Sequence, residues 1–163
     1  MTKRFLVLLI FGIAAGASAE TLTFPVFSIE VETDWKHGVE ERASDDRSTS
    51  DSETLRWGEL ISIYRPDGVG KLRVQSWVAP ADVSQAILRN LTNVEPTKLE
   101  SQEWGDVSGY QYSYTERGSF YRHWWLTNER TVLFVVYDCD PDAQEIEIEA
   151  IDTMVGSIRM NRS

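Results

Sequence analysis

The chain has 163 residues, 26 of them acidic and 16 basic, and a formal charge of −10. That length is one ordinary domain, enough to bury a real core. A surface of this sign repels phosphate backbones, which excludes nucleic acid and anionic lipid headgroups as partners and favours a cationic one.

Lys3 and Arg4 give a charged start, Phe5 to Phe11 are apolar, and Ala17, Ser18 and Ala19 form a small-residue cleavage site. This order predicts a secretory signal peptide over 1–19, cut after Ala19, and a single exported domain over 20–163. The apolar run is too short to span a membrane comfortably, so no transmembrane segment is expected in the mature protein. The bacterial style of the leader points to the periplasm or beyond. Removing Lys3 and Arg4 takes the formal charge from −10 to −12. Cys139 is the only cysteine, so no internal disulfide is possible and packing alone must hold the fold.

Phe27, Ile29 and Val31 alternate with Ser28, Glu30 and Glu32, which predicts a half-buried strand closed by Trp35. From Glu40 to Glu53 almost nothing is available to bury, and the composition predicts an exposed, mobile loop. Leu55, Trp57, Ile61 and Ile63 then fall on one face of a second strand that ends at the turn Pro66-Asp67-Gly68. Leu72, Val74 and Val78 mark a third. Val83, Ala86, Ile87 and Leu91 recur at helical spacing after Pro80, predicting an amphipathic helix near 80–92. A weaker strand covers about 97–104.

A meander follows, with strands near 107–115, 119–127 and 131–138 and turns at Arg117-Gly118 and Asn128-Glu129. The last strand, Thr131 to Tyr137, is apolar on both faces and therefore belongs in the middle of a covered sheet. Pro141 opens a final helix near 142–159, with Ile151, Met154, Val155 and Ile158 as its buried stripe.

The run Phe27 to Trp35, Gly109-Tyr110 at the head of the meander, and the closing Val155-Gly156-Ser157-Ile158-Arg159 together resemble the PsbP-like family. Relatives commonly have proline three residues before the tryptophan, where this chain has Glu32. The resemblance implies an α+β domain: an α/β/α sandwich around a central, mainly antiparallel sheet. The family includes photosynthetic extrinsic proteins, a nuclear-transport factor, bacterial envelope proteins and immunity proteins against secreted toxins. These are mostly docking modules, and a shared fold does not carry a function across.

No catalytic constellation emerges. The turn register sets His123 opposite about 134 and Cys139 opposite about 118, roughly 16 Å apart at about 3.3 Å per residue, far beyond the reach of a thiol–imidazole pair. Asp138, Asp140, Asp142 and Glu149 have spacing reminiscent of a calcium loop, but Ala143 replaces the turn glycine and Pro141 stiffens it. Helix capping explains these acids better. No metal or cofactor is expected.

The meander register places Tyr110, Tyr112 and Tyr114 beside Trp125, His123 and Tyr121, with Val132, Phe134 and Val136 alongside, all on one face. Core packing under a helix accounts for such a cluster unless part of it stays open, and then Tyr112, Tyr121, His123 and Trp125 are candidate partner contacts. Asp45, Asp46, Asp51 and Glu53 are the charged candidates. The expected function is an exported, non-enzymatic protein-binding module whose partner has a basic contact surface. Its most concrete form is an immunity-type protein neutralising a toxin in the periplasm. The alternative is an envelope-maintenance protein holding a lipid or other small ligand in an aromatic groove.

Overall fold

The computed structural model describes residues 18–40 and 56–161, with side chains for all of these except 56–59. Chain order is β1 (Ala19–Thr23), β2 (Phe27–Glu32), β3 (Lys36–Glu40), β4 (Arg56–Tyr64), β5 (Gly70–Val78), α1 (Gln85–Thr92), β6 (Glu100–Trp104), β7 (Val107–Glu116), β8 (Ser119–Asn128), β9 (Thr131–Cys139), α2 (Gln144–Gly156) and β10 (Arg159–Met160). The predicted leader lies outside the described residues up to position 17, and so do Asp45, Asp46, Asp51 and Glu53. The expected cleavage after Ala19 would leave Glu20–Thr23 of β1 in place. Among the described residues no helix is long and apolar enough to cross a membrane.

Seven strands form an all-antiparallel sheet in the order β3-β4-β5-β9-β8-β7-β6. The doubly apolar β9 takes the middle place, as its sequence requires. Val132, Leu133, Val135 and Tyr137 are all fully buried. A second sheet, β1-β2-β10, packs with α2 on the inner face of the large sheet. Phe27, Ile29 and Val31 of β2 meet Ile61, Leu72, Val74, Trp124 and Leu126 there, together with Ile151 and Met154 of α2. The alternation in β2 is thus a one-sided burial, with Glu30 outside. Helix α1 lies on the opposite face, against β7 and β8. The result is an α+β domain in which the sheet is sandwiched between helices.

One carboxylate intrudes on the core. Glu147 is 2% exposed. Its Oε2 accepts from the Gly70 N–H at 3.1 Å and from the Tyr137 hydroxyl at 3.2 Å, so it ties α2 to the β4–β5 hairpin. A side chain at Gly70 would collide with the Tyr137 ring, which is why glycine stands there.

The structure departs from the sequence reading at both helices and within β4. Helix α1 starts at Gln85, not near 80, because Ser84 is its N-cap, accepting from the Ile87 N–H at 3.3 Å. The residues before it are held extended: the Ala79 and Val83 N–H groups donate to the carbonyls of Arg130 and Glu129. Helix α2 spans Gln144–Gly156 instead of 142–159. Pro141–Ala143 is a 3-10 turn capped by Asp140, and Arg159–Met160 leave the helix to pair with β2. Finally, β4 does not keep one alternation. Its register shifts between Trp57 and Leu60, so Trp57 pairs with Trp77 while Ile61 pairs with Val74.

Candidate functional site

The outer face of the meander is built by two tight turns. Arg117 and Gly118 both have positive φ, 50° and 80°, the geometry that joins twisted strands in a two-residue hairpin. The second turn is Glu129-Arg130, closed by Asn128 and Thr131, and not Asn128-Glu129. The one-residue difference slides β9 by two positions, which preserves the face. His123 therefore lies opposite Val136, and Cys139 opposite Phe120. Since 120 and 123 are on opposite sides of β8, the imidazole and the thiol are separated by the sheet itself. Burial pushes the Cys139 thiol up, away from thiolate character.

The pairs Tyr110–Trp125, Tyr112–His123 and Tyr114–Tyr121 form as the sequence predicts. Helix α1 then divides the aromatic face in two. Its Leu88 is fully buried against Trp77 and Val132, with Val83, Tyr110, Trp125 and Phe134 packed around them. Trp125 meets Trp77 edge-on at 5.6 Å and Phe134 at 4.5 Å. Of the four aromatic candidates, Trp125 thus stands in the covered half, and the other three stand together beyond the helix.

In that second half Tyr112, Tyr114 and Tyr121 form a near-parallel ladder, with centroids 6.1 Å and 5.2 Å apart and interplanar angles of 15° and 21°. His123 sits behind it, 9% exposed, with Nδ1 2.8 Å from the Tyr112 hydroxyl and Nε2 3.5 Å from that of Tyr114. Burial lowers the imidazole pKa to about 4, against a smaller opposing pull from Asp138. At neutral pH the ring is uncharged, with one nitrogen donating and one accepting, and it orients two tyrosines instead of serving as a base. Burial raises the Tyr112 and Tyr114 hydroxyls, which stay protonated.

Tyr114, which is not among the candidate contacts that the sequence suggests, is 37% exposed and forms the open centre of the ladder. Beside it runs a groove of about 460 Å³ between residues 93–98 and strand β7, lined by Asn93, Glu95, Lys98, Tyr112, Tyr114 and Glu116 among others. Nothing in the sequence marks this groove except the turn residues that shape it: Asn93 ends α1 with φ 51°, and Pro96 opens a 3-10 turn. On the other side of the ladder the face becomes polar. Glu40 accepts from Ser62 and pairs with Lys71, and Arg73 pairs with Asp138, so these charges largely cancel. Asp138 and Asp140 are therefore occupied in an ion pair and in a cap. Among the described residues no group of three or more metal-ligating side chains is assembled.

No protein-family model and no curated protein matches the chain. Solved structures do. It is similar to the cyanobacterial PsbP, CyanoP, from Synechocystis sp. PCC 6803, with TM-score 0.59 and 12% identity over 92% of this chain and 96% of that one. A protein from Bacteroides thetaiotaomicron matches with TM-score 0.55 and 15% identity over 84% of this chain, which spans only 46% of its length. LpqN, involved in cell envelope biogenesis of Mycobacterium tuberculosis, matches with TM-score 0.46 and 12% identity over 89% of this chain and 91% of that one. The first two carry the assignment: the chain has the PsbP-like fold.

Proposed function

We propose that this chain is an exported, non-enzymatic module that docks a protein with a basic contact surface through the open half of its aromatic face. The observation that carries the reading is the division of that face by α1. Tyr112, Tyr114 and Tyr121 form a near-parallel ladder backed by the buried His123, and they lie outside the cluster that α1 packs against the partly buried Trp125. Tyrosines with fixed hydroxyls offer apolar area and directional hydrogen bonding at low entropic cost, as interface anchors do. The leader-like start and the excess of acid support an exported protein with a cationic partner. In its most concrete form the partner is a toxin and the chain its periplasmic immunity protein. The envelope-ligand alternative is less favoured, because Glu95, Lys98 and Glu116 make the groove wall a poor home for an acyl chain.

The test is capture from a periplasmic extract with the protein as bait, beside a Tyr114→Ala, Tyr121→Ala double variant. A basic protein retained by the parent at low salt and lost by the double variant supports the reading. The immunity form further requires that co-expression in the periplasm relieve the partner's toxicity. Equal capture by both baits would overturn the use of this face.

A further inference from the structure

Strand β7 is 10 residues long, but β6 covers only its first half, the pairing ending at Glu100 opposite Gln111. Beyond Gln111 the strand pairs, among the described residues, with β8 alone. The type of hairpin at Arg117-Gly118 makes Glu116 and Ser119 its hydrogen-bonded closing pair. Alternation along an antiparallel ladder then sends the N–H and C=O groups of Tyr112, Tyr114 and Glu116 towards β8. Those of Ser113 and Thr115 point to the bare edge. The groove of about 460 Å³ runs along that same edge. A half-covered strand thus coincides with a cavity in the size range of specific binding pockets, roughly 300–1,000 Å³.

We propose that this edge takes an extended, arginine-bearing segment of the partner, added as a short strand that continues the line of β6. The proposal rests on the protein-docking reading above and specifies its mode. Ser113 and Thr115 supply the main-chain hydrogen bonds, which give affinity without sequence preference. Side chains of the added strand alternate, so a residue beside Tyr112 or Tyr114 projects on the tyrosine face. Three features there select a guanidinium. The tyrosine rings present π faces, on which a planar cation stacks. Glu116 shares their face of β7 and lines the groove. Lys98, the only cation among the groove-lining residues, is already paired with Glu95 at 3.3 Å. A neutral saccharide also stacks on tyrosines, but it has no use for the strand edge.

The experiment uses three capped six-residue peptides: alternating arginine and threonine, the same with citrulline for arginine, and the arginine peptide with alternate backbone amides methylated. Nuclear magnetic resonance titration and amide exchange of the protein are the readouts. The arginine peptide should shift β7 and the Tyr112–Tyr114 signals and slow exchange at Ser113 and Thr115. Citrulline should bind about tenfold more weakly, and the methylated peptide should not bind. A Thr115→Pro variant removes an N–H that β8 does not use, so it should fold, keep its spectrum elsewhere and lose the arginine peptide. Absence of binding at millimolar peptide, equal binding of the methylated peptide, undiminished binding to Thr115→Pro, or competition by chitotriose in place of the peptide would each overturn the proposal. The captured partner separates the two ideas. If it binds Thr115→Pro as well as the parent but is lost by the Tyr114, Tyr121 double variant, the edge mode fails and the docking reading stands. If it binds all three equally, both fail.

Discussion

The two faces of the seven-stranded sheet use the same strands for opposite ends. On the inner face β8 presents Trp124 and Leu126, 2% and 0% exposed, to a second sheet and a helix that close over them. On the outer face the alternate residues Tyr121, His123 and Trp125 meet a helix of only eight residues, which covers one of the three. Inner residues are apolar and find complementary cover. Outer residues are apolar in body and polar at the tip: His123 meets the Tyr112 and Tyr114 hydroxyls, and the rings contact one another. A half-covered face whose polar tips are already ordered is suited to acquiring its remaining cover from another molecule.

The comparison is broken most directly by truncating one side chain on each face of β8. Trp124→Ala should cost about 3–5 kcal/mol, as large-to-small changes of aromatic core residues do. It also strips the partner from Gln111, whose Oε1 accepts from the indole N–H at 2.8 Å. Tyr121→Ala loses its stacking on Tyr114, its edge-on contact with His123 and partial burial, about 1 kcal/mol. Denaturant unfolding of the two variants is the measurement, and similar losses would mean that the outer face is core after all.

The next effect belongs to the outer face alone. His123 has its pKa lowered to about 4 in the folded protein from an ordinary value of 6.5. Between those limits the unfolded chain takes up the proton and the native state does not, so stability falls as pH drops from 6.5 towards 4 and is unaffected by this group above 6.5. At about 1.4 kcal/mol per unit the loss approaches roughly 3 kcal/mol at pH 4. A His123→Gln variant should lack the part of the slope between pH 6.5 and 5, where carboxylates contribute little. An unchanged slope would show that the imidazole titrates as freely as in water. The inner face has its own, smaller counterpart: Gly70→Ala forces a methyl group against the Tyr137 ring beside Glu147 and should cost about 1–3 kcal/mol.

The division between the faces was legible in the sequence, but the line that splits the outer one was not. Alternation in Phe27 to Glu32 and in the meander reports which residues share a face, and a register error of two positions at Glu129-Arg130 leaves that parity intact. That turn lacks the glycine that marks Arg117-Gly118, so the sequence locates it only to within one residue. Pro80 looked like a helix start because proline suits a first turn; the Ala79 and Val83 hydrogen bonds to the β8–β9 turn hold the segment extended, which only tertiary contact decides. The same holds for the site. Tyr112, Tyr121 and His123 could be grouped by register, but whether they or Trp125 lie under α1 depends on where an eight-residue helix docks. The groove was invisible because it is made by what β6 leaves unpaired, and periodicity does not report the length of a neighbouring strand.

The smallest effect on stability should come from four acids outside the described residues. Asp45, Asp46, Asp51 and Glu53 fall between β3 and β4 in the sequence. Charge steers a basic partner over the screening length, about 10 Å at 0.1 M salt and roughly 30 Å at 0.01 M. Such carboxylates act on the approach of a partner more than on the docked complex. Replacing all four by their amides should leave the unfolding midpoint nearly unchanged, slow association at low salt and flatten its dependence on ionic strength. Tyr114→Ala should do the reverse, speeding dissociation while the salt slope of association stays as in the parent. Surface binding kinetics with the captured partner at several ionic strengths measures both. An amide variant that associates like the parent at every salt would leave the acidity of this connection to solubility and confine recognition to the outer face of the meander.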